Sequence, residues 1–143
     1  LIDSAEARYE EMFGSEKNIG KVPESREEFI KVTMGRVLFT MRDPMIRKIR
    51  KLLVQEQFRN ERISEVTTKH QLDGIQGMFA KIIKGMMDAE IVVKDDPKLL
   101  AVELTAPAVL QIARSDRQPQ YEEECMEYIE KHMRHFCKVY MKK

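Results

Sequence analysis

A chain of 143 residues is long enough for one domain with a real buried core. With 43% hydrophobic and 34% charged residues it is unlike a disordered chain, and a net charge of +1 provides no global field that would draw it to nucleic acid or a membrane. Cys125 and Cys137 fall on one predicted helix, roughly 18 Å apart at 1.5 Å per residue, so they cannot pair with each other; two free thiols point to a reducing cytoplasm.

Only the helical period recurs along the chain, with no alternating strand of useful length and no internal repeat. Residues 1–13 read as a helix with Ile2, Ala5, Tyr9, Met12 and Phe13 on one stripe. Because the chain opens on Leu1 inside that pattern, with no signal peptide, it is expected to be a piece of a longer protein. GSEKNIGKVPES (14–25) is a linker marked by Gly14, Gly20 and Pro23. SREE (25–28) is a capping box that launches a helix through Met41, carrying Phe29, Ile30, Thr33, Met34, Val37, Leu38 and Met41 on its apolar side. Asp43 and Pro44 then stop that helix and start the next, 44–58, with Ile46, Ile49, Leu52, Leu53 and Phe58 inward.

Asn60 caps a long helix to about Ala89, with Ile63, Val66, Thr67, His70, Ile75, Met78, Phe79, Ile82, Ile83 and Met86 at steps of three and four. Gly74 and Gly77 weaken it by about 1 kcal/mol each, so a bend or close packing is expected near them. Asp96 as cap and Pro97 at the first position open a helix over 97–114. SDRQPQ (115–120) is a loop, and 120–142 is a final amphipathic helix. The fold class is all-α, a helical bundle of about six helices.

Two features of the last helices stand out. Pro107 lies inside an apolar helix, where it removes the hydrogen bond to the Glu103 carbonyl at a cost of ~3 kcal/mol; a bend there is expected. The 97–114 helix is also apolar nearly all round, which calls for cover on two sides, although Glu103 and its short length exclude a bilayer span. The final helix carries two neighbouring stripes, one with Cys125, Ile129, His132 and Phe136, the other with Met126, Met133, Cys137, Tyr140 and Met141. Paired between two copies, these helices form a four-helix dimer interface through Ala108, Ile112, Ile129, His132, Met133, Phe136, Cys137 and Tyr140. The alternative is that both are central helices of a monomeric bundle.

RKLLVQEQFRNERISEV (50–66) and DDPKLLAVELTAPAVLQIA (95–113) are similar to segments of the ligand-binding and dimerisation domain of TetR-type (tetracycline-repressor-like) bacterial transcription regulators, and their spacing and the final helix resemble it too. The resemblance covers essentially the whole chain but not the family's helix-turn-helix head, which is absent. It implies that 1–13 is the helix connecting head to body, that the last two helices pair as a homodimer, and that operator DNA is contacted only through the missing head. It also implies a small apolar or amphipathic effector held among the helices 1–13, 25–42, 60–89 and 97–114, where binding shifts the spacing of the two heads. The candidate lining residues are Met34, Val37, Met41, His70, Ile75, Met78, Phe79, Ile82, Glu103 and Leu104.

Each of these has a plainer reading. Methionines at helical spacing fill cores as readily as they line pockets. His70 has no carboxylate or cysteine at metal spacing and reads as a buried, hydrogen-bonded imidazole. Glu103 must be paired or reach water, or else recognise a cationic ligand group. Cys125, His132 and His135 do not share one helical face, and a tetrahedral site wants four ligands, so no metal is expected. Arg42, Arg47, Lys48, Arg50 and Lys51 have no interleaved aromatic and read as a solvated face. No spacing suggests a nucleophile with its base or a phosphate-cradling loop, so neither enzymatic activity nor a cofactor is expected. The reading from a different class is a helical interaction or adaptor module without a cavity.

Overall fold

The computed structural model describes residues 20–142, together with Ala7 and Glu11, which are helical and exposed. The rest of the helix expected over 1–13 lies outside the described residues. From Ser25 onward the chain forms helices α1 (Arg26–Arg42), α2 (Pro44–Glu56), α3 (Glu61–Thr68), α4 (Gly74–Asp88), α5 (Pro97–Arg117) and α6 (Glu122–Tyr140). Helices α3 and α4 run on through a π-helical turn, Lys69–Asp73, and so form one rod; the described residues thus make five rods and no strand.

Local chemistry sets the boundaries. Ser25 accepts a hydrogen bond from the Glu28 N–H (3.1 Å), while the Glu28 carboxylate accepts from the Glu24 N–H (2.8 Å), one residue earlier than in a symmetric capping box. Asp43 ends α1 and caps α2 by accepting from the Ile46 N–H (3.1 Å), with Pro44 in the first turn. Asn60 takes the Arg62 N–H (2.8 Å) at the start of α3, and Asp96 takes the Lys98 N–H (3.0 Å) at the start of α5. Helix α4 stops in a Schellman arrangement: Glu90 turns left-handed (φ 61°), the Ile91 N–H reaches the Met86 carbonyl (2.8 Å), and the Glu90 N–H reaches that of Met87 (3.0 Å).

Two boundaries differ from expectation. The predicted loop at 115–120 is shorter, because α5 continues through Arg117 and a 3₁₀ turn (Pro119–Tyr121) leads straight into α6. Near Gly74 the hydrogen-bond register changes through the π turn. Gly77 has open space where a side chain would begin, and close packing falls instead on Gly85, where an added Cβ would lie 2.8 Å from Val22 Cγ2.

Helix α5 is central, flanked by α4 and α6, and α1 closes the bundle against α6. The main core joins Phe29, Met41, Ile83, Met86, Leu100, Leu104 and Ile129, all essentially without exposure. A smaller core, Ile46, Ile49 and Leu53 with Phe39, Ile63 and Val66 against it, sits under α2. Arg50 joins the two regions. Its guanidinium donates to both Asp116 oxygens (2.6 and 2.8 Å) and to the Thr40 carbonyl (2.6 Å). Arg50 thus turns inward and does not belong to the solvated face expected for it. At the chain's end the Val93 N–H donates to the Tyr140 carbonyl (2.9 Å) and the Lys142 N–H to that of Ile91 (2.8 Å), pinning the end of α6 to the α4–α5 connection.

Candidate functional site

The residues proposed to line an effector cavity do not ring one space. Val37, Met41, Met78, Phe79, Ile82 and Leu104 are buried against one another in the main core, and Met34 and Ile75 pack on its edge. His70 is half-buried in the π turn, and Glu103 is exposed on the far side of α5. Glu103 is therefore separated from that set, because it falls on the outward face while Leu104, one residue on, points in. The two best-formed depressions among the described residues are both open. One, of about 520 Å³, lies between α4 and the start of α5, among Gly77, Ala80, Lys81, Lys84 and Lys98. The other, of about 190 Å³, lies between α5 and α6, among Glu103, His132, His135, Phe136, Val139 and Tyr140.

The α5–α6 crevice explains what the interior proline requires. Pro107 has no N–H, so the Glu103 carbonyl four residues back has no donor within the helix. His132 Nε2 lies 3.1 Å from that carbonyl and 3.0 Å from the Leu104 carbonyl. Both oxygens only accept, so Nε2 carries the proton and donates to them. Helix α6 thereby fills from outside the gap that proline opens in α5, and α5 is one α-helix from Pro97 to Arg117. Beside it the Tyr140 hydroxyl donates to the Glu103 carboxylate. That hydrogen bond, with burial and the charges of Glu103 and Asp95, holds the Tyr140 phenol above the usual tyrosine range. The Tyr140 ring leans on Phe136 (4.9 Å between centroids), which stacks on Phe29 of α1 (5.9 Å). The pairing of Pro107 with His132 spans too much sequence for local spacing to reveal it.

The residues proposed for a dimer interface need correction. Ala108, Ile112, Ile129, Met133, Phe136 and Cys137 are buried within the single chain, and His132 and Tyr140 are half-buried and engaged with Glu103. Both stripes of α6 are buried or half-buried within the chain, with His132 and Tyr140 meeting α5 and Phe136 meeting α1. The double-sided character of α5 is nonetheless real. Leu100, Ala101, Leu104, Thr105, Ala108 and Ile112 face the core. Leu99 (50% exposed), Val102, Ala106 and Leu110 (70% exposed) form an outer stripe at steps of three and four. Exposed Tyr128, His135 and Val139 lie on the outer side of α6, and Glu103, His135 and Val139 line the crevice between the two helices. The spacing 99, 102, 106, 110 was available in the sequence; what was missing was which face the core would take.

Among the described residues no three His, Cys, Asp or Glu side chains come together as metal ligands. Cys125 and Cys137 are buried thiols, and burial pushes that of Cys137 up. No described helix is long and apolar enough to cross a membrane. Compared with protein-family models, curated proteins and solved structures, the chain matches none.

Proposed function

We propose that this chain is the homodimerising, effector-responsive body of a bacterial TetR-type transcriptional regulator, a cytoplasmic repressor that meets operator DNA only through a preceding head. In this reading it is a binding body, not an enzyme, and works without a cofactor. The observation that carries it is the outer stripe of α5: Leu99, Val102, Ala106 and Leu110 opposite a fully buried inner face. Each large aliphatic left in water forgoes ~1.5–3 kcal/mol of burial, and exposed apolar side chains gathered on one face, here around Glu103, mark an interface. Helices α5 and α6 from two copies, related by a two-fold axis, would cover it as a four-helix bundle.

Sedimentation equilibrium tests this directly. The chain is expected to be a dimer, and Leu110→Asp is expected to give a monomer with its helical circular dichroism intact. Phe136→Asp is expected to unfold the chain instead, because Phe136 is buried within one protomer. A wild-type chain that stays monomeric at high concentration overturns the proposal.

The packing of Val37, Met41, Met78, Phe79, Ile82 and Leu104 into a single core favours a second reading, a helical interaction module with no effector cavity. A thermal-shift screen with apolar and amphipathic small molecules separates the two. A ligand that raises the melting temperature supports the regulator, since only binding to the folded state can do so. A broad screen with no shift decides for the interaction module.

A further inference from the structure

The crevice between α5 and α6 has a chemistry that the dimer reading does not use. It is lined by Phe136, Val139 and Tyr140, by His132, whose Nε2–H donates to the Glu103 and Leu104 carbonyls of α5, and by the exposed Glu103 and His135. Glu103 Oε2 accepts from the Tyr140 hydroxyl, which orients the carboxylate, while Oε1 has no donor among the described residues. Tyr140 is the last residue of α6, so the negative end of that helix dipole lies at the same place. No lysine or arginine lines the crevice, although the chain holds 25 of them. The carboxylate, the helix end and the ring faces are of the sign that attracts a cation, while the two carbonyls are taken by His132.

We infer that this crevice is a binding site for a small organic cation of the alkylammonium class. The charged nitrogen sits against Glu103 Oε1 and the face of Tyr140, and the alkyl groups lie on Phe136 and Val139. Aromatic faces attract quaternary ammonium groups, and a volume of about 190 Å³ suits a compact one and excludes a large polycyclic ligand. The pairing of an anchored carboxylate with an aromatic wall selects for charge as well as shape. His132 is a positioning residue here: by donating to the carbonyls it fixes α6 against α5 and so sets the width of the crevice.

The test is an NMR titration of the whole chain at low salt with choline and with its neutral isostere 3,3-dimethylbutan-1-ol, following the ring signals of Tyr140, His132 and His135. Choline is expected to move these signals saturably and the alcohol is not. Glu103→Gln is expected to weaken choline binding about five-fold. Tyr140→Phe, which keeps the ring and frees the carboxylate, should weaken it about two-fold. Glu127→Gln, on another face of α6, should leave it unchanged. Equal shifts with the neutral alcohol, no saturable shift with choline, or full binding by both Glu103→Gln and Tyr140→Phe would each overturn the inference. Because the crevice lies on the face that the proposed dimer would cover, the titration is repeated on Leu110→Asp, so that a crevice closed by dimerisation is told apart from the absence of a site.

Discussion

Glu90 holds the left-handed position that ends α4, with φ at 61°. Its N–H donates to the Met87 carbonyl and its left-handed turn lets the Ile91 N–H reach that of Met86, so the conformation is required, yet an L-residue with a Cβ costs roughly 1–2 kcal/mol there. Glycine removes that strain but adds freedom to the unfolded chain, which takes back part of the gain. Glu90→Gly is therefore expected to stabilise the fold by about 0.5–1 kcal/mol, and Glu90→Val to destabilise it, both read from urea unfolding midpoints. If glycine is no better than glutamate, the turn is not strained. The caps at Ser25, Asp43, Asn60 and Asp96 could be read from sequence because each acts within three residues of itself. Glu90 could not, because no residue type in that stretch advertises a left-handed turn. The strain there belongs to the backbone, and the sequence pattern registers side chains.

At the scale of the helix, Pro107 and His132 are one unit. Replacing His132 alone leaves the Glu103 carbonyl without any donor, in a place partly shielded from water. Replacing Pro107 by alanine restores an N–H four residues from that carbonyl and makes the imidazole redundant there. His132→Ala is thus expected to cost about 1–2 kcal/mol in the natural background and much less in the Pro107→Ala background. The difference between the two is a coupling energy, measured by a double-mutant cycle in urea. Additive effects would mean that the imidazole packs against α5 without serving its carbonyls. The sequence made the proline conspicuous and pointed to the Glu103 carbonyl as the orphan, since both follow from helix geometry. It could not supply the donor, which comes from a helix one loop away. The same limit applies to α6, whose two apolar stripes are plain in the sequence while the neighbours they meet are not. It applies equally to the π turn at Lys69–Asp73, where the apolar period continues as though the helix were regular.

Among the described residues, two hydrophobic regions meet at a polar joint formed by Arg50. The main core lies among α1, α4, α5 and α6, and the smaller one lies under α2 and α3. Arg50 lies between them, fixed by two hydrogen bonds to Asp116 near the end of α5 and one to the Thr40 carbonyl near the end of α1. Both charged side chains are mostly shielded from water, so removing one leaves the other without its partner in a site of low polarity. Arg50→Met is expected to lower stability by about 3 kcal/mol, near the lower end for a buried pair because some exposure remains. Arg50→Met combined with Asp116→Leu should recover a large part of that loss, since an apolar pair leaves no uncompensated charge. The joint also sets how the loss is distributed. If Arg50 is what holds α2 and α3 to the bundle, hydrogen exchange in Arg50→Met should accelerate over 44–68 while α5 and the inner face of α6 stay protected. Acceleration spread evenly over all helices would show that the two regions unfold as one unit and that the salt bridge is only one contact among many. Local acceleration would make the α2–α3 corner a separately mobile element whose docking is governed by a single guanidinium.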